Sequence, residues 1–198
     1  MIEYIQGYIS ERSPTRVVIE SGGLGYALSI SLHTFSQIED LSECRLLTRL
    51  VPKNENQQLA GFALYGFAEP DERALFDALV SVSGIGANIA MTMLSSFPVD
   101  AIRSAVHDED VATIKSVKGI GPKTAKRLIL ELKDKIDPPS QYAPSAGVQS
   151  TVRDEALAAL VSLGFARPAA TKALDKALAA GDANENVEQL IKSALKLI

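Results

Sequence analysis

The chain has 198 residues, a formal net charge of −4, 46% hydrophobic and 22% charged residues, one cysteine and two histidines. That composition is globular and argues against general disorder, and the length suits one large domain or two to three small ones. Cys44 stands alone, so an internal disulfide is excluded. His33 and His107 lie too far apart to make a Cys/His zinc spacing, so no metal or other cofactor is expected. No apolar run approaches the roughly 20 residues of a membrane span. The alternating start MIEYIQGYI carries Glu3 and is no signal peptide. A reducing, cytoplasmic setting is the simplest expectation.

Residues 1–66 read as β. MIEYIQGYI alternates, with Ile2, Tyr4 and Gly7 marking the strand, and TRVVIES (15–21) follows before the turn Gly22-Gly23-Leu24-Gly25. YALSISL (26–32) places Tyr26, Leu28, Ile30 and Leu32 on one face and Ala27, Ser29 and Ser31 on the other. A helical turn is expected within 33–41, then strands at 44–52 and 59–67. Short strands with turn signals predict a small sandwich or barrel.

Residues 67–137 read as helical. Glu69-Pro70-Asp71 is a helix start, followed by Leu75, Phe76, Leu79 and Val80. SVSGIGANIAMTM (81–93) then returns as SVKGIGPKTAKRL (116–128), offset by 35 residues and identical at six of thirteen positions. A tandem helix–turn–helix unit is predicted. Phe97-Pro98 ends the first copy, and Asp108 or Asp110 caps the helix that leads into the second. Residues 138–150 carry prolines and small polar residues and read as a flexible linker. Residues 151–198 read as three helices. Thr151 is the first cap, Gly164 a stop, Pro168 a start and Gly181 a second stop, and Val187, Leu190, Ile191, Ala194 and Leu195 mark the third helix.

The second copy sits in a basic island. Residues 115–135 hold seven basic residues against two acidic ones, a net +5 in an acidic chain. Pro122 stands where a helix begins, and a helix start offers unpaired N–H groups and a positive dipole end to an anion. Lys118, Lys123, Lys126 and Arg127 flank that turn, whereas the first copy carries Ser83, Asn88, Met91 and Thr92 at the same offsets. The local pattern is that of a phosphate contact, stronger at the second turn than at the first. An isolated GIG turn is more often plain turn chemistry; the tandem pair with its charge favours function.

The two GIG units resemble helix–hairpin–helix motifs. The order of the chain is a β region with GGLGY (22–26) and LYGF (64–67), tandem hairpins with GIGANIA and GIGPKTAKRLI, a Pro-rich linker and a small domain with SLGF (162–165). This order resembles the RuvA family of bacterial Holliday-junction-binding proteins along the whole chain. The resemblance implies an α+β multidomain protein: an OB-fold β-barrel (1–66), an all-α tandem helix–hairpin–helix domain (67–137), the linker and a UBA-like three-helix module (151–198). It implies that Gly84, Gly86, Gly119 and Gly121 bind DNA phosphates through their amides, with Asn88, Lys118, Lys123, Thr124 and Arg127 adding contacts. It implies a homotetramer or octamer that holds a four-way junction open and recruits the RuvB motor through Leu163, Gly164 and Phe165, with the RuvC resolvase in the larger complex. Branch migration in recombination, DNA repair and the SOS response would be its setting.

The chain departs from that family twice. Asn88 stands where the first hairpin commonly has a lysine. The acidic pin, a tip whose carboxylates repel phosphates at the junction centre, is reduced to Glu55 within KNENQQ (53–58). No catalytic residue is expected, and no GxxxxGK[ST] loop is present, so ATP hydrolysis belongs to the partner. A DNA glycosylase of the hairpin class is the enzymatic alternative. Lys123 lies near the place of its catalytic lysine, but the downstream catalytic aspartate is missing. Hairpins used only for protein contacts are a third reading. Tyr4, Tyr26, Phe67 and Phe165 read as core, and Leu163 and Phe165 as packing on their own helices.

Overall fold

The computed structural model describes residues 2–55, 58–133, 135–136, 152–179 and 186–197. Its contacts divide the chain into two units, Met1–Gln141 and Tyr142–Ile198. The expected linker at 138–150, the cap at Thr151 and the stop at Gly181 lie outside the described residues.

The first unit opens with a closed five-stranded barrel: β1 (Tyr4–Ser13), β2 (Arg16–Ser21), β3 (Leu24–Ile30), β4 (Glu43–Glu55) and β5 (Gln58–Phe67), in the order β1-β2-β3-β5-β4. β3 pairs with β5 in parallel, which requires a crossover. Helix α1 (Leu32–Ile38) and β4 supply it. Ile5, Val17, Ile19, Leu28, Ile30, Ile38 and Leu46 fill the barrel. Closure depends on Gly7, where a Cβ would stand 2.0 Å from the Glu20 carbonyl oxygen.

Two readings of the β region need correction. β3 stops at Ile30. Ser31 is buried and caps α1 by accepting the Thr34 N–H, and Leu32 is exposed at the helix start. Capping chemistry therefore overrode the alternation that had placed Leu32 inside. In β1, Ile5 takes the inward position, so the period of two sends Tyr4 outward, where the Arg45 guanidinium lies 3.9 Å from its ring centroid.

Five helices follow: α2 (Pro70–Val80), α3 (Ala87–Ser96), α4 (Val99–His107), α5 (Val111–Ser116) and α6 (Pro122–Leu132). β5 serves both cores by alternation. Leu64 faces the barrel, while Tyr65 and Phe67 enter the helical core and meet Phe76 at 5.1 and 5.0 Å. Asp77 on α2 accepts both arms of the Arg49 guanidinium on β4. Barrel and hairpins are therefore one packed body.

The second unit is α7 (Val152–Ser162), α8 (Arg167–Ala179) and α9 (Val187–Leu195) around Ala156, Leu160, Ala170, Ala173, Leu174, Ala177, Leu190 and Ala194. Leu195, expected on the inner face, is exposed, and Leu190 and Ala194 carry the contact instead.

Candidate nucleic-acid interface

The 35-residue repeat is structural. Gly84 and Gly119 take positive φ, +94° and +95°, a region closed to most side chains. In each copy the next isoleucine turns back: Ile85 N–H donates to Val82 O at 3.0 Å, and Ile120 N–H to Val117 O at 3.1 Å. Both valines and both isoleucines are buried, so they plug each turn into the core. Gly86 and Gly121 are the N-caps of α3 and α6, with extended backbone, and no side chain caps either helix. Both helices thus start on an exposed glycine turn with first-turn amides that no side chain among the described residues caps.

The two turns face each other reciprocally. A Cβ on Gly84 would lie 3.9 Å from Thr124 Cγ2, and one on Gly119 would lie 3.6 Å from Ile89 Cγ1. Gly84 corresponds to Gly119, and Ile89 to Thr124, under the offset of 35. Each copy therefore meets the other with the same two positions, which is the mark of an approximate two-fold axis. The two helix starts are brought together as a pair. Thr124 is half-buried between the hairpins, whereas Asn88, Lys118 and Lys123 are exposed beside their turns.

The charges of the basic island divide into two groups. Arg127 is held by Glu131 at 3.2 Å, Lys133 by Glu109, and Lys135 donates to Ser81 Oγ at 3.2 Å. Lys115, Lys118, Lys123 and Lys126 are exposed and have no ion-pair partner among the described residues. The second copy therefore carries four ammonium groups without an ion-pair partner among the described residues, from α5 through the turn into α6. The first copy carries the neutral Asn88 at the position of Lys123. Asp110 caps α5, accepting the Thr113 hydroxyl at 2.5 Å and the Ala112 and Thr113 N–H groups; these bonds, the hydroxyl first, hold its carboxyl below the usual aspartate range.

The remaining expected residues are on other elements. Beyond its pairing with β1, β4 continues with β5 as a two-stranded ribbon whose last pair is Glu55 with Gln58. The Glu55 side chain lies outside the described residues. In the second unit Gly164 follows α7 with φ +95°. Leu163 is 63% exposed, so it does not pack on its own helices, while Phe165 is half-buried against their core. The spacing of residues also gave no signal for three buried polar groups near the first hairpin: Ser31, Thr34 and Glu72.

Residues 1–61 match the model for the RuvA N terminal domain, residues 76–134 that for the SAM-like helix-hairpin-helix tandem, and residues 151–198 that for the RuvA C-terminal domain. The chain is 46% identical to the Holliday junction branch migration complex subunit RuvA of Flavobacterium psychrophilum, covering 99% of each chain. It is 43% identical to the same subunit of Cytophaga hutchinsonii over the whole of both chains, and 42% identical to that of Bacteroides fragilis over 99% of each. On this coverage and the order of its three matched regions, the chain belongs to the RuvA family.

Proposed function

We propose that the chain is the junction-binding subunit of a branch-migration complex. It binds four-way DNA junctions through backbone phosphates, holds them open as a homotetramer or octamer, and recruits a RuvB-type ATPase motor in the cytoplasm, with a RuvC-type resolvase joining the larger complex. The observation that carries this reading is the reciprocal pair of glycine turns without a side-chain cap, with four lysines on the second copy that have no ion-pair partner among the described residues. Gly84, Gly86, Gly119 and Gly121 offer backbone amides, and Lys118 and Lys123 offer ammonium groups to the same strand. Asn88 is a neutral donor, Thr124 supports the contact from between the hairpins, and Arg127 contributes after exchange with Glu131. Phosphate contacts of this kind carry no base sequence. The chain itself is non-catalytic.

The barrel over 1–66 organises subunits around the four-fold axis, the hairpins over 67–137 carry the DNA, and 138–150 tether the module over 151–198. The ribbon brings Glu55 to the junction centre as a single-acid pin. Leu163, Gly164 and Phe165 form the motor-facing corner, with Leu163 exposed for that contact.

The test is binding of the Lys118→Ala, Lys123→Ala double variant to four-way junctions of several sequences. Removing two ammonium groups that neutralise phosphates lowers the log–log salt slope by about 2 and weakens binding to every sequence alike. Unchanged affinity and slope would remove the hairpins from the interface.

A further inference from the structure

Glu72 is fully buried in the first turn of α2, with no ion pair among the described residues. Its Oε1 accepts the Ser31 hydroxyl and its Oε2 accepts the Thr34 hydroxyl at 2.6 Å. Both hydroxyl oxygens are themselves acceptors. Ser31 Oγ takes the Thr34 N–H at 3.0 Å, and Thr34 Oγ1 takes the Ala68 N–H at 3.1 Å. A hydroxyl has one proton. Both hydroxyls give that proton to Glu72, which accepts on both carboxyl oxygens. A second bond lies beside this network: Leu32 N–H, at the start of α1, donates to Ser95 Oγ near the end of α3 at 3.1 Å.

α1 thus grips both legs of the first hairpin at the ends opposite its turn, at Glu72 on α2 and Ser95 on α3. Among the described residues the second hairpin shows no such grip. The offset of 35 carries Glu72 to His107 and Ser95 to Leu130, both exposed. The lysines are distributed the other way round, around the second turn and not the first. The 11 residues of α2 span roughly 16 Å. A tilt of about 5° at the grip would move the turn by roughly 1.4 Å, beyond the half-ångström or so that a binding constellation tolerates. A lysine on a flexible stem follows such a shift, whereas fixed amides do not.

We propose that Glu72 is a positioning residue for DNA binding: its buried network with Ser31 and Thr34 sets the angle of the first hairpin on the barrel, so that backbone amides and the neutral Asn88 meet the phosphate there without a lysine. The role rests on phosphate binding by the hairpins as proposed above. It is tested in the full chain with a fluorescent four-way junction across a salt series. Glu72→Gln presents an amide N–H₂ where a carboxylate oxygen accepted. The variant, folded by circular dichroism, is expected to bind roughly tenfold more weakly, the loss of one buried hydrogen bond. Its salt slope stays unchanged, because no cation is lost. In double-variant cycles that loss disappears on a Gly84→Ala background and persists in full on a Lys123→Ala background.

Unchanged affinity of folded Glu72→Gln, or a loss that simply adds to that of Gly84→Ala, overturns the positioning role alone. Unchanged affinity of Gly84→Ala and Lys123→Ala overturns phosphate binding by the hairpins and the positioning role with it. Should Glu72→Gln fail to fold, Thr34→Val removes one of the two donors and enters the same cycles with the same outcomes.

Discussion

At residue scale the two hairpins offer two chemistries for the proposed phosphate contact. Gly84 and Gly119 have the same φ within a degree, but only the Gly119 turn is flanked in sequence by exposed lysines, at Lys118 and Lys123. A Cβ at either site has room, so the cost of alanine there is backbone strain, about 1–2 kcal/mol. Gly84→Ala is expected to weaken junction binding with no change in salt slope. Lys123→Ala is expected to lower that slope by about 1. Arg127→Ala has the smaller effect, since its guanidinium is already held by Glu131. Equal slopes for Lys123→Ala and the parent chain would show that Lys123 touches no phosphate. The unequal pair was legible in the sequence, because a repeat displays its own substitutions. Glu72 was not. An acid in the first turn of a helix reads as a solvated dipole partner, and only the approach of residues 38 and 41 positions away buries it.

At the scale of elements, the strands and helices followed their sequence signals where one signal acted alone. β1 and β3 show two acting together. The alternation through Leu32 met the N-cap serine at 31, and the cap won because it satisfies a buried N–H that a longer strand would leave unpaired. The placement of Tyr4 depended on parity, and Ile5 settles it by filling the barrel. Asp110, one of two candidate caps, is the one used, and its bonds fix the sign of a pH effect. Its folded carboxyl titrates below the unfolded value of about 3.9. It therefore adds stability above that pH, and the contribution is lost as pH falls through the folded value. Thermal melts of Asp110→Asn against the parent chain are expected to differ most near neutrality and to converge in acid. Curves parallel down to pH 2 would show that the cap is not charged in the fold.

For the whole molecule, the central claim is that paired glycine turns, repeated around a symmetric assembly, select a branched DNA over a straight one. On the proposed function a single pair would contact phosphates on any duplex, so selectivity would require several copies held at fixed angles by rigid bodies such as the fused barrel and hairpins. The three-part order of the chain was readable from motifs alone. That barrel and hairpins share Tyr65 and Phe67 as one wall was not, since nothing in LYGF says which core each aromatic enters. The most direct measurement is competition between a four-way junction and linear duplex of equal length for the full chain, at two salt concentrations. Junction binding through phosphates predicts that the junction displaces duplex at both salts while both absolute affinities fall steeply as salt rises. Equal affinity for the two DNAs, or affinity indifferent to salt, would contradict it.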